Sequence, residues 1–152
     1  MRDHHSKSIR HQRGFTLVEV LIAIAVVTML IGFFVSSGVD GIDQAKTGAA
    51  QNQVANRIAQ GVAARYGSTL TLSGVTAAQL QETTTTPFGD TWSVSATGAR
   101  TVTIAYPVTS ASDADVTGAA MASYLTGITG TSVISAATYN ATTDTLSITY
   151  TL

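Results

Sequence analysis

Arg13-Gly14-Phe15-Thr16-Leu17-Val18-Glu19-Val20-Leu21-Ile22 opens an apolar run that continues to Val35, reading FTLVEVLIAIAVVTMLIGFFV from Phe15. Glu19 is its single charge. A bilayer core about 30 Å thick needs roughly 20 apolar residues as a helix, so the run is long enough to span one. The preceding stretch, MRDHHSKSIRHQRG, carries Arg2, Lys7, Arg10 and Arg13 against Asp3 alone. Basic residues before the run and few after it place the N-terminus in the cytoplasm, with everything beyond Ser36 outside the inner membrane. An ordinary secretory signal has an apolar core of about 7–15 residues and a small-residue cleavage site. This run is longer, and Val35-Ser36-Ser37 is a weak site of that kind. A plain signal anchor leaves Glu19 unexplained. An ionisable group near the start of a span is costly unless it has a partner, so it is a functional candidate by default.

The rest of the composition narrows the chemistry. The chain has 152 residues, room for one domain and a short appendage. Charged residues make up 11%, with 8 basic and 9 acidic and a net charge of −1, which excludes a basic nucleic-acid-binding surface. A hydrophobic share of 45% excludes a disordered chain. There is no cysteine, hence no disulfide, thiolate nucleophile or cysteine-held metal. The histidines, His4, His5 and His11, all precede the apolar run. Once that leader is removed, neither histidine-based acid–base catalysis nor the usual zinc ligands are available. The expectation is a protein that is not an enzyme, with no cofactor and no metal.

The residues from Arg13 to Ile22 resemble the prepilin signature of type IV pilins and type II secretion pseudopilins: a basic leader ending in Gly, then Phe-Thr-Leu-x-Glu, then a continuous apolar helix. The resemblance implies cleavage after Gly14 by a membrane-embedded prepilin peptidase, with Phe15 as the new, N-methylated N-terminus. It also implies that Glu19, fifth residue of the mature chain, pairs with the terminal amine of a neighbouring subunit. The physics agrees, because a cation and a carboxylate buried in an apolar bundle each need the other. The organisation expected is a cleaved basic leader over 1–14, an apolar transmembrane and filament-core helix over 15–36, an amphipathic continuation over 37–67 and a globular head over 68–152.

In the continuation, Ile42, Ala45, Ala49, Val54, Ile58, Val62 and Tyr66 recur at three- and four-residue spacing, with Ala55, Ala59 and Ala63 beside them. This predicts one amphipathic stripe. Lys46, Gln53, Asn56, Arg57 and Arg65 fall mostly on other faces. Tyr66-Gly67-Ser68 reads as the helix stop; Gly38 and Gly41, each costing about 1 kcal/mol in a helix interior, mark a weak point, and two separate helices broken there are the competing reading.

Beyond Leu70 the chain is rich in threonine. Residues 73–81 predict a short helix with Thr76 and Gln79 in capping-box spacing. Thr83 to Asp90 predicts a loop and turn around Pro87-Phe88-Gly89-Asp90. Trp92, Val94 and Ala96 alternate with polar residues, as do Val102, Ile104 and Tyr106 across a Gly98-Ala99 turn, predicting a hairpin. Residues 112–125 predict a helix with an acidic start, Asp113 and Asp115, and apolar Val116, Ala119, Ala120 and Tyr124. Residues 133–139 and 146–152 predict a second hairpin. The fold class expected is α+β: a long N-terminal α-helix packed on an antiparallel sheet of about four strands.

The order of the head elements is similar to that of type IVb pilins, as are Asp40–Lys46 and Pro87–Trp92. Two features depart from that group: its heads commonly close a C-terminal loop with a disulfide, and their first mature residue is often not Phe. The strand Leu146–Tyr150 is the expected substitute, tying the C-terminus into the sheet. The other candidates have simpler readings. Asp113-Ala114-Asp115 has a spacing seen among calcium ligands but suits the positive end of a helix. Asn140-Ala141-Thr142 is a formal glycosylation sequon but also a turn sequence. Trp92 and Phe88 suit packing. The function expected is a structural subunit of a type IV pilus. The alternative is a minor pilin or pseudopilin of a type II secretion or DNA-uptake filament, and a third class, disfavoured by the absence of His and Cys after position 11, is a membrane-anchored extracytoplasmic binding module or enzyme. The partners implied are further copies of the chain, the prepilin peptidase, the inner-membrane assembly machinery and the inner membrane itself. The protein is expected in a bacterial inner membrane with its head periplasmic before assembly, and in an extracellular pilus afterwards.

Overall fold

A computed structural model describes residues 24, 42–81 and 83–152. The chain divides into two compact units, Met1–Val39 and Asp40–Leu152. In the first, Ile24 is helical and 58% exposed. The leader, Gly14, Phe15, Glu19, Gly38, Gly41 and the rest of the apolar run lie outside the described residues. Among the described residues no helix is long and apolar enough to cross a membrane.

The second unit is α+β. Its long helix, α1, is α-helical over 42–52, π-helical over Gln53–Ile58 and α-helical again over Ala59–Thr69. A short helix α2 spans Ala77–Leu80. Strands β1 (Ser93–Thr97) and β2 (Thr101–Pro107), helix α3 (Ala114–Gly127), and strands β3 (Ile134–Asn140) and β4 (Thr145–Thr151) follow. The sheet is antiparallel, ordered β1-β2-β4-β3. The C-terminal strand is thus central, hydrogen-bonded on both sides, and Leu152 N–H donates to the Arg100 carbonyl at 3.0 Å. Backbone bonding does the work expected of it in a chain without cysteine.

The core lies on one face of the sheet. Val102, Ile104 and Tyr106 pair with Tyr150, Ile148 and Leu146, and all are at most 1% exposed. Directly opposed residues share a face, so this set forms one apolar patch. Val54, Ile58 and Val62 of α1 and Met121 and Leu125 of α3 complete the same core, as do Leu72, Leu80 and Trp92. The opposite face is hydroxylic, with Thr103 Oγ1 3.0 Å from Thr149 Oγ1. β-Branched threonine suits a pleated, half-exposed surface.

Several expectations change in detail. On α1, Val54, Ile58 and Val62 are buried as the stripe predicts, but Ala50 takes the place of Ala49, and Ile42 and Ala45 are exposed. Steps of four residues overshoot a full α-helical turn by about 40°. An unbroken α-helix would therefore carry Ala50, Val54, Ile58 and Val62 progressively off the sheet, and the wider π turn absorbs that drift. Gln53, expected on an outer face, is buried. The helix passes Gly67 and ends at Leu70, whose φ of 57° and ψ of 14° make it a left-handed cap. α2 is shorter than expected because a turn at Ser73-Gly74, with Gly74 at φ 72°, precedes it. Thr76 N–H donates to Gln79 Oε1 at 3.1 Å, as the capping spacing predicts. In β1 a register shift between Val94 and Ala96 breaks the alternation and leaves Ala96 exposed.

Candidate functional site

Two hydroxyls pin α1 to the sheet. Tyr106 Oη donates to Gln53 Oε1 at 2.7 Å, and Tyr150 Oη to the Val54 carbonyl at 3.0 Å. Gln53 Nε2 in turn donates to the Thr85 carbonyl at 3.1 Å. Burial pushes both phenols well above their ordinary pKa, aided at Tyr106 by the Asp90 charge and at Tyr150 by Tyr106. They stay protonated donors. The π turn places Gln53 and Val54 where both hydroxyls reach, so the irregularity and the core bonds occur together.

Asp90 organises the loop beside them. Its carboxylate accepts from Thr109 Oγ1 at 2.7 Å, Ser110 Oγ at 2.6 Å and Ser110 N–H at 3.0 Å. Burial alone would raise its pKa; the hydrogen bonds from Ser110 and Thr109 outweigh burial and hold it below the usual value. Phe88 and Trp92 are core residues, 6% and 1% exposed, and Trp92 Nε1 donates to the Thr83 carbonyl at 3.3 Å.

The start of α3 is built by its acids. Asp113 is the N-cap, its Oδ1 accepting from Val116 N–H at 3.0 Å. Asp115 lies in the first turn, where a carboxylate favours the helix dipole. Tyr139 Oη lies 3.1 Å from Asp115 Oδ1 and 2.9 Å from Asp144 Oδ1, bridging α3 to the β3–β4 turn. Burial and these two carboxylates raise its pKa. The helix approaches that closely because residue 118 is glycine: a Cβ there would meet the Tyr139 ring at 2.1 Å. Asp113 and Asp115 therefore cap and bridge, and among the described residues no group of acids and histidines could hold a metal. Asn140 Oδ1 accepts from Thr142 N–H at 2.9 Å, the local turn bond expected of this sequence.

α3 exposes the apolar residues that mark it as a helix in the sequence. Its buried face is Thr117, Gly118, Met121 and Leu125. The more apolar-looking set faces solvent: Val116 is 65% exposed, Tyr124 43%, and Ala119 and Ala120 are exposed. Met121 and Leu125, four apart, are the signal that could have distinguished the faces. Between α3 and the first turns of α1 lies a groove of about 540 Å³, lined among others by Asp43, Thr47, Gln51, Asp113, Val116 and Ala120.

Residues 9–35 match the family model for the prokaryotic N-terminal methylation motif. These residues carry the prokaryotic N-terminal methylation motif, which is consistent with a type IV pilin-family prepilin. The matched stretch contains Gly14, Phe15 and Glu19 in one register. Comparisons with curated proteins and with solved structures returned no match. The motif thus lies in the N-terminal unit, and the second unit is an α+β body whose α3 exposes Val116 and Tyr124.

Proposed function

We propose that this prepilin is cut between Gly14 and Phe15 on the cytoplasmic side, and that the mature chain is the structural subunit of a type IV pilus. The match to the methylation motif carries the reading, because leader, glycine, Glu19 and apolar run stand together within it. Before assembly the apolar helix over 15–36 holds the chain in the inner membrane with the head outside. After extraction its side chains are buried against other copies, and each large one contributes about 1.5–3 kcal/mol before ordering costs. Glu19 neutralises the terminal amine of a neighbour's Phe15. The hydroxylic outer face of the sheet and the core-buried aromatics suit a surface displayed in many copies, and neither suits a catalytic cleft.

The test is chemical and visual. Mass spectrometry of the mature chain is expected to give an N-methylated Phe15 as its first residue. Glu19→Ala is expected to be processed and inserted normally but to form few filaments; abundant normal filaments from that variant alone would refute the pairing. Purified surface filaments should contain this chain as their main component. Finding it only in trace amounts would make it a minor pilin or pseudopilin instead.

A further inference from the structure

The π turn gathers polar residues that an α-helix would separate. Asn52 is its N-cap and Arg57 lies in its last turn. Five residues apart, the two would stand about 140° apart around an α-helix. π hydrogen bonding joins residues five apart, so here they share a side. Both border a groove of about 440 Å³ between α1 and the segment after α2, together with Gln53, Gln81, Thr83 and Thr85. Gln53 is 6% exposed and fixed. Its Oε1 accepts from Tyr106 Oη at 2.7 Å, and its Nε2 donates to the Thr85 carbonyl at 3.1 Å. Nε2 also lies 3.5 Å from Gln81 Oε1, which leaves the side-chain N–H donors of Gln81 free. Among the described residues the lining holds one charge, Arg57, and no carboxylate. Neither the Arg57 guanidinium nor the Asn52 side-chain amide has a partner among those residues. π turns inside α-helices frequently mark functional sites.

We propose that this groove binds an acidic sugar, a hexuronic acid unit, with Arg57 on its carboxylate and Asn52, Gln81, Thr83 and Thr85 on its ring hydroxyls. A guanidinium presents a planar fork that fits a carboxylate through two parallel hydrogen bonds. The other four groups are neutral amides and hydroxyls, which both donate and accept, as sugar hydroxyls do. One cation matches a monoanionic carboxylate better than a phosphate group, which carries about −1.5 to −2 at pH 7. The volume falls within the range of small-molecule sites, about 300–1,000 Å³. Every residue used lies in the second unit, and no second copy of the chain is needed. The site therefore goes beyond the filament reading and does not depend on it.

Trp92 Nε1 donates to the Thr83 carbonyl at 3.3 Å, so the single tryptophan reports occupancy of the groove. Full-length protein in a sugar-free detergent is titrated with D-galacturonate, D-galactose, acetate and inorganic phosphate, following Trp92 fluorescence and Tm. Galacturonate is expected to saturate with a Kd of about 1 mM and to raise Tm. Galactose, with a hydroxymethyl group in place of the carboxylate, and acetate, without the ring, should each bind about tenfold more weakly or worse. Arg57→Gln should weaken galacturonate by about tenfold or more, and Arg57→Lys, which keeps the charge without the fork, by less. Arg57 is exposed, and the Tm without ligand separates lost binding from lost folding. Glu82, between Gln81 and Thr83 in sequence, lies outside the described residues; Glu82→Gln should bind galacturonate as tightly as the parent or more so. No saturation by galacturonate overturns the proposal. So do equal binding of galactose, acetate or phosphate, full binding by Arg57→Gln, and loss of binding in Glu82→Gln. Binding is read on unassembled chains, so missing filaments count against the proposed function alone and missing binding against this site alone.

Discussion

Gly61 tests how closely α2 is seated on α1. A Cβ at this position would lie 1.8 Å from the Leu80 carbonyl oxygen and 2.7 Å from its carbon. Both are backbone atoms, so no rotamer change relieves the clash, and α2 must move away. In an open helix, Gly→Ala gains about 1 kcal/mol of propensity. Here overpacking opposes it by about 1–3 kcal/mol. Displacing α2 also exposes part of Leu80, now 5% exposed, whose full burial is worth about 1.5–3 kcal/mol. The balance for Gly61→Ala is a loss of about 2 kcal/mol. For a head of this size that is a fall in Tm of about 8 °C. Trp92, the single tryptophan and 1% exposed, reports unfolding by its fluorescence in the full-length protein in detergent. Gly67→Ala is the control: it lies in the same helix with nothing within 4 Å of its Cβ, and should gain about 0.5–1 kcal/mol. An unchanged or higher Tm for Gly61→Ala would refute the close approach.

Three further substitutions read other parts of the head. Tyr150→Phe removes the donor to the buried Val54 carbonyl and should cost about 1–3 kcal/mol in urea unfolding; a neutral result would mean that the π turn needs no tyrosine. Leu70→Gly should stabilise by about 0.5 kcal/mol, because the left-handed strain relieved slightly exceeds the extra freedom of the unfolded glycine. Leu70 is 73% exposed, so little packing is lost, and a lowered Tm would contradict this. Asp90→Asn should cost about 1 kcal/mol at pH 7, after discounting for solvent exposure. Asp90 has a depressed folded-state pKa, so its contribution is present above the unfolded value of 3.8 and lost as pH falls through the folded one. The gap between variant and parent should therefore close below about pH 4, and a gap that persisted at pH 2 would refute the assignment.

Much of the fold was legible because its signals are local. Alternation over Val102–Tyr106 and Leu146–Tyr150 marks strands wherever they pair, and Asp113 before an apolar run marks a helix start. The prepilin motif is contiguous, so its processing and assembly candidates, Gly14, Phe15 and Glu19, could be named without a structure. Faces were less legible. Val116, Ala120 and Tyr124 are more apolar than Thr117 and Gly118, yet the latter are buried. Gly118 alone lets the Tyr139 ring lie against the helix, and that requirement comes from a strand later in the chain.

The sequence by itself determined the order of the elements, the α+β class and the prepilin N-terminus, since each depends on spacing within a few turns of chain. Only the tertiary structure decided that Gln53 is buried, that α1 widens into a π turn, and that the last strand is central. Gln53 is satisfied by Tyr106, 53 residues away, and Val54 by Tyr150, 96 residues away. A polar side chain is buried where a distant partner meets its hydrogen bonds, and no periodicity within one helix contains that partner.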